Sequence, residues 1–294
     1  MAKRLAVLLW AWTAAAEAED LVLDPAGGHL VEAAVNGVPL RLRVTLDAHG
    51  FVILNRAAAR RAKLGRGDRR MVMAIGPVRL KGRGVQAPVT IGGRTAEMLL
   101  GWYDAPVDPA ADGVISPGAL PYDRVRLRYL PTAPGRHTLA YRVQFGEGDG
   151  LHVPIDVGGG YSIAVRFAPD AADTIAAGAA AAMMAETHGG TLSTAPFHVE
   201  IGFGITRPAR WLTLRSPVRV GAAAVDRLLM RTSDFLGTHR LPRDAAITPD
   251  EILVSAARAR QEALYRMTLG RDALGGCTEA DYARAERLLL LRCP

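Results

Sequence analysis

Two stretches of this chain follow one plan, and each brings an aspartate to the same point. The first runs Val31-Glu32-Ala33-Ala34-Val35-Asn36-Gly37-Val38-Pro39, continues from Leu40 to Leu46, and ends on Asp47-Ala48-His49-Gly50. The second runs Val153-Pro154-Ile155-Asp156-Val157-Gly158-Gly159-Gly160-Tyr161, continues from Ser162 to Pro169, and ends on Asp170-Ala171-Ala172-Asp173. Both read as an apolar strand, a glycine turn, a second strand, an aspartate, and a short apolar run into an alanine-rich helix. A chain built this way has two related halves. It can hold two carboxylates, one per half, facing each other across a cleft.

Strand signals dominate the first two thirds. Asn36-Gly37 predicts a hairpin, because both residues tolerate positive φ. Phe51 to Leu54 is a short buried run, and Asn55 is placed to cap a helix through Ala62. Strands follow over Met71 to Ile75, Val78 to Leu80, Val85 to Ile91, Thr95 to Leu100, Gly113 to Ile115 and Arg124 to Tyr129. Leu130 to Gly135, with its prolines and glycine, reads as a linker. The second half repeats the order, with a helix over Ala177 to Glu186. Ala111-Asp112-Gly113-Val114-Ile115-Ser116 finds its counterpart in Val225-Asp226-Arg227-Leu228-Leu229-Met230, since both place an acid before an apolar pair. Beyond Leu236, Thr248 or Asp250 is expected to cap a helix carrying Ile252, Ala256, Leu264 and Leu269, and Glu279 to Leu291 to form a last helix.

Lys3 and Arg4, the apolar stretch Leu5 to Ala15, and Ala16-Glu17-Ala18 fit a secretory leader over residues 1–18. The expected organisation is then an N-terminal lobe over 19–135, a second lobe over 136–238 and a helical tail over 239–294. Cys277 and Cys293 are the two cysteines of the chain. In an oxidising compartment their pairing would contribute roughly 3 kcal/mol. The expected location is periplasmic or secreted. The net charge of +7 is densest from Arg56 to Arg70. That run lacks aromatic residues for base stacking, so no nucleic-acid partner is expected. It reads as a solvated helix face and basic loop, with peripheral contact to an anionic membrane surface as the alternative. No Gly-x-Ser-x-Gly elbow or His-Glu-x-x-His helix is present. Gly158-Gly159-Gly160 lies between strands rather than before a helix, so it is no phosphate loop. Neither a cofactor nor a metal is expected.

Val35-Asn36-Gly37, the strand ending at Leu46-Asp47, the apolar run to Leu54 and the helix Arg56-Ala57-Ala58-Ala59-Arg60-Arg61-Ala62 resemble a unit of the retropepsin-like aspartic peptidases. Ala111-Asp112-Gly113-Val114-Ile115-Ser116-Pro117-Gly118-Ala119-Leu120 is similar to that unit's closing segment. The second half resembles a diverged copy, so the pair is similar to the two-lobed pepsin arrangement over residues 28 to 236. The resemblance implies an all-β fold of two pepsin- or retropepsin-like barrels followed by the helical tail. It also implies a catalytic pair, Asp47 and Asp170. Two close carboxylates share one proton, so one can act as base to a water and the other as acid to a carbonyl.

The active loops depart from the family. Its Asp-Thr-Gly or Asp-Ser-Gly is replaced by Asp47-Ala48-His49 and Asp170-Ala171-Ala172. Alanine cannot supply the hydroxyl that locks the loops together, and His49 puts a ring where the family has no side chain. Ser116 and Met230 stand where a glycine usually follows the closing apolar pair. Asp173 is a second candidate acid, and His49 could lower the pKa of Asp47 or act as a base. The leading expectation is an exported, degenerate aspartic-peptidase-like module that binds a peptide or protein segment in the inter-lobe cleft, as a monomer. The alternatives are a live endopeptidase using Asp47 and Asp170, and a basic β-rich envelope protein contacting anionic polymers or lipid.

Overall fold

The computed structural model describes residues 20–76, 78–129, 137–158, 160–232 and 265–294. The leader, the linker from Leu130 to Gly135 and the helix expected around Ile252 to Leu264 lie outside the described residues. The protein is mostly β.

The first half forms a seven-stranded sheet. Leu30–Val35 and Val38–Val44 make the expected hairpin, with Asn36 and Gly37 both at positive φ. Period-2 alternation sets its faces: Leu40, Leu42 and Val44 are buried while Arg41 points out. Each such leucine contributes roughly 1.5–3 kcal/mol by burial. Val38–Val44 runs parallel to Gly113–Ile115. That short strand is antiparallel to Val52–Leu54, which in turn is parallel to Arg94–Tyr103. Leu30–Val35 also pairs with the far end of Val78–Ile91 and closes the sheet into a barrel.

The second half forms a nine-stranded sheet in which the same pairing pattern returns. Ser162–Phe167 runs parallel to Arg266–Leu269. Arg266–Leu269 is antiparallel to Ile175–Ala176, which is parallel to Ala223–Arg231. The closing strand of this half is therefore Arg266–Leu269 and not the segment from Val225 to Met230. Ala223–Arg231 is instead the counterpart of Arg94–Tyr103. Met230 is a fully buried strand residue, paired with Ala176 and Arg210 rather than following a closing strand. The position matching Ser116 is held by Gly270. A Cβ there would lie 2.4 Å from the carbonyl carbon of Asp173.

A third sheet of five strands joins the halves, in the order Asp20–Leu23, Arg124–Arg128, Glu279–Ala283, Leu288–Cys293, His137–Arg142. The expected last helix is thus a hairpin. Four consecutive leucines suit a helix as well as a strand, but burial along Leu288–Cys293 alternates, with Leu289, Leu291 and Cys293 inside. Arg287, at φ 49, makes the turn. Strand neighbours on both sides and the Cys277–Cys293 disulfide hold it. The described residues of the expected helical tail, 265–294, instead complete two sheets and contain one short helix, Arg271–Leu274, ended by Gly275 in the left-handed region.

The helices after each aspartate are present, as Arg56–Arg61 and Gly178–His188. Asn55 does not cap the first with its side chain. Its amide donates to the carbonyls of Asp108 (2.6 Å) and Ala111 (2.8 Å) and accepts from Val107 N (2.8 Å). It thereby pins the loop ahead of Gly113–Ile115.

Candidate functional site

Matching main-chain hydrogen bonds fix where each aspartate sits. Thr45 N donates to Ile115 O (3.1 Å) and Ala168 N to Leu269 O (2.9 Å). Ala48 N then turns back to Thr45 O (3.3 Å), and Ala171 N to Ala168 O (2.9 Å). Asp47 and Asp170 therefore occupy equivalent positions, each on the tight turn that follows a parallel strand pair.

The structure brings their side chains within electrostatic reach of each other. The Asp170 carboxyl is pushed above its ordinary pKa, first by burial and then by the charge of Asp47. The main-chain N–H groups of Asp170 and Ala171, and His29, oppose the shift. Asp170 is nonetheless exposed to water. Asp47 accepts a hydrogen bond from Thr45 Oγ1 at Oδ1 (2.5 Å). Tyr129, at the end of the third sheet, senses both carboxylates. Burial, then Asp170, then Asp47 drive its hydroxyl well above the usual range. Its ring packs edge-on against His29, 5.2 Å between centroids, and His29 Nε2 lies 2.6 Å from Arg128 O.

The hydroxyl lock missing at Ala48 and Ala171 has a substitute. Arg166 Nη1, from the second half, donates to the main-chain carbonyl of Asp47 (2.7 Å). Gly50 N donates to Glu147 O (3.1 Å), and Gly150 packs so close to the first loop that a Cβ would lie 1.9 Å from Ala48 O. The two halves are thus stitched by backbone contacts and one guanidinium rather than by paired hydroxyls.

His49 lies against Phe51, with ring centroids 5.7 Å apart. Its pKa is pushed down to about 3, first by burial, then by Arg166 and Arg266, against the pull of Asp149. The imidazole is therefore neutral over the ordinary pH range. It cannot lend positive charge to Asp47, and it is a poor base.

Two β hairpins lie over Asp47. One is Arg69–Ile75 with the start of Val78–Ile91; the other is Phe197–Gly202 with the start of Ile205–Val220. Phe203, at the tip of the second, stands edge-on at 5.6 Å to Tyr103, the last residue of Arg94–Tyr103. Ile201, Phe203 and Ile205 pack on a small apolar cluster that includes Met73 and Ile75. Beneath them is a cavity of about 260 Å³, whose polar lining includes Asp47, His49, Arg166, Asp173, Arg231 and Arg266. A second cavity, about 470 Å³, opens beyond His49 and Met73 toward Phe51, Met71 and Tyr103. The first cavity takes in Asp47 but not Asp170; Asp173 lines it from the second half.

Sequence reasoning set Asp47 and Asp170 at matching points of the two halves, where the structure also has them, but did not single out Arg166, Arg266, Tyr129 or His29. One signal was available. Arg43 precedes Asp47 by the same spacing that Arg166 keeps from Asp170. The basic run is partly spent on ion pairs, Arg56 with Asp104 (2.7 Å) and Arg61 with Asp112 (2.8 Å). Arg70 lies directly opposite Arg83 on the first hairpin, both exposed. Among the described residues, no cluster of three or more His, Cys, Asp or Glu side chains is arranged to hold a metal ion.

No protein-family model matches the chain, and no curated protein does. Among solved structures, the chain is similar to the retroviral protease-like domain of Ddi1 from Leishmania major. The match has 23% identity over 30% of this chain and 70% of that one, with a TM-score of 0.24.

Proposed function

We propose that this protein is an aspartic-peptidase-like cleft protein that binds an extended peptide or protein segment between two retropepsin-like halves. Its main role is binding, and its active loops are degenerate. One observation carries this reading. A hairpin from each half lines a cavity of about 260 Å³ that takes in Asp47, and an adjoining cavity of about 470 Å³ opens beyond His49. The repeated strand pairing in the two halves supports a two-lobed duplication. The first lobe then ends before residue 130, and the second runs from about Gln144 through Leu274 once the closing strand is included.

The departures from the family favour binding over turnover. Ala48 and Ala171 leave the position after each aspartate without a hydroxyl, and a guanidinium occupies the neighbourhood of Asp47. A second reading, a live endopeptidase, is favoured by the coupling of the two carboxylates. Burial and the charge of Asp47 both raise the Asp170 carboxyl, the direction expected of two carboxylates that share a proton. The disulfide supports export to a periplasmic or extracellular space. The exposed cations of the first hairpin suit peripheral contact with an anionic surface.

The test is a mixed pool of unlabelled peptides incubated with the protein at pH 3–7, read for both retention and cleavage. Retention without cleavage, unchanged in Asp47→Asn and Asp170→Asn, is the expected result. Cleavage lost in either variant replaces it with the endopeptidase reading. Absence of both sinks the cleft reading.

A further inference from the structure

We propose that the cavity between the two hairpins is a subsite for a carboxylate, the side chain of a glutamate or aspartate in the bound segment, with Arg166 as its principal contact. The subsite rests on the cleft reading above and supplies the ligand chemistry that reading lacks.

Charges enclosed by protein are normally paired, because an unpaired one forfeits its hydration without compensation. Arg43, the first-half counterpart of Arg166, obeys that rule. Its Nε is ion-paired with Asp108, and its Nη1 donates to Gly28 O (2.6 Å). Arg166 does not. Its one hydrogen bond goes to a neutral acceptor, the carbonyl of Asp47. Its Nε is buried with no acceptor among the described residues. No carboxylate of those residues comes within ion-pair distance of it.

The guanidinium is also aimed at space, since Arg166 lines the cavity of about 260 Å³ together with Arg231 and Arg266. Arg266 is held in place by an ion pair with Asp149. Three acids share the lining. Glu200 is exposed on the second hairpin, the Asp47 carboxylate takes the Thr45 hydroxyl, and Asp173 stands on the second-half loop. None of them comes within ion-pair distance of Arg166. Arg166 and Arg266 help push His49 down to about 3, and burial, then Arg266, bring Arg166 down to about 10 against the opposing charges of Asp47 and Asp149. Arg166 therefore stays charged at neutral pH, and a ligand carboxylate gives it the partner that Arg43 finds in Asp108. A planar guanidinium with a free edge suits a carboxylate better than a neutral amide does.

The experiment uses fluorescein-labelled decapeptides of Ser, Val and Phe, with one Glu stepped along the sequence, and a matching set carrying Gln. Binding to the full chain is read by anisotropy. At one register the Glu peptide should bind at least tenfold more tightly than its Gln twin. Arg166→Gln should erase that preference, and Arg166→Lys should restore part of it. If Arg166→Gln does not fold, competition on the unaltered protein decides: glutarate displaces the Glu peptide and glutaramide does not. Equal binding of both sets overturns the carboxylate subsite while leaving the cleft standing. A Glu preference that survives Arg166→Gln removes Arg166 from the role. Failure of every peptide to bind overturns the cleft, and the subsite with it.

Discussion

The two halves place an arginine, an aspartate and a closing strand at matching points, yet they finish these points with different chemistry. In the first half Arg43 meets Asp108, Val52 is a fully buried apolar residue, and Ser116 follows the closing strand. In the second half Arg166 meets only a carbonyl. Thr174, the counterpart of Val52, donates through Oγ1 to Asp272 (2.6 Å) and accepts from Gly270 N (3.0 Å). The first half thus pairs its arginine within itself. The second spends its polar groups on fastening its own loop and turns an unpaired cation toward the cleft. Duplicated scaffolds need not keep duplicated roles: one copy can carry the packing while the other carries recognition.

The largest effect expected from breaking this contrast is at the residue after each closing strand. Gly270→Ala drives a methyl group into the Asp173–Thr174 backbone, where a Cβ has 2.4–2.8 Å to its nearest atoms. Main chain cannot step aside as a side-chain tip can, so a loss of about 3 kcal/mol is expected in urea unfolding. Ser116→Ala should do the opposite. Ser116 is fully buried, and its Oγ has no partner among the described residues. Removing that hydroxyl should leave stability unchanged or raise it by up to about 1 kcal/mol. Equal losses from both substitutions would erase this contrast between the two loops.

Next come the paired arginines. Asp108→Ala strips Arg43 of its partner and leaves the N–H groups of Ala110 and Ala111 without the oxygen they share. A cost of about 2 kcal/mol is expected, below that of a fully buried pair because Arg43 keeps some contact with water. Arg166→Met, in contrast, removes a charge that no carboxylate of the described residues pairs with, together with one bond to the Asp47 carbonyl. Unliganded stability should fall by less than about 1 kcal/mol or improve. A larger loss would show that the bond between the halves outweighs the cost of burying the charge.

How much of this was legible beforehand follows from where the information lies. The repeated strand–aspartate unit was readable because its signals are local: alternation, Asn36-Gly37, and an alanine-rich helix after each aspartate. The second closing strand was not. Leu269-Gly270 sits far downstream of the repeat, and only its pairing with Ser162–Phe167 and Ile175–Ala176 identifies it. The nearer segment Val225 to Met230 imitates the pattern, and the leucines at the C-terminus imitate a helix, until strand neighbours and a disulfide choose for them. Asp47 and Asp170 could be named from spacing alone. Arg166 could not, because its meaning comes from the missing partner, a property of the packed state. Thr174 likewise reads as an ordinary strand residue. Thr174→Val should cost about 1 kcal/mol by freeing Gly270 N and the Asp272 carboxylate, a smaller loss than the previous two because Asp272 is exposed and can rehydrate.

The subtlest test uses pH, where the halves should respond with opposite sign. Burial works to raise the Asp108 carboxyl, but the Arg43 guanidinium and the N–H groups of Ala110 and Ala111 outweigh it and hold the carboxyl below its ordinary range. Its folded-state pKa therefore lies under its unfolded value. It adds stability above the ordinary carboxylate range, and that stability is lost as pH falls through the folded value. Asp170 is shifted upward, by burial first and Asp47 second. Its folded form holds the proton more tightly than the unfolded chain does, so its favourable contribution is complete at low pH and disappears as pH rises through the folded value. Unfolding of the parent, Asp108→Asn and Asp170→Asn in urea from pH 3 to pH 7 separates the two cases. The Asp108→Asn deficit should be widest at neutral pH and shrink on acidification. Asp170→Asn should match the parent at the acid end and become the more stable protein as pH rises, and adding Asp47→Asn should remove part of that gain. If Asp170→Asn instead weakens the protein at neutral pH, as Asp108→Asn does, the second aspartate has found support of its own. The two carboxylates would then no longer act as a coupled pair, and neither turnover nor the contrast between the halves could be built on them.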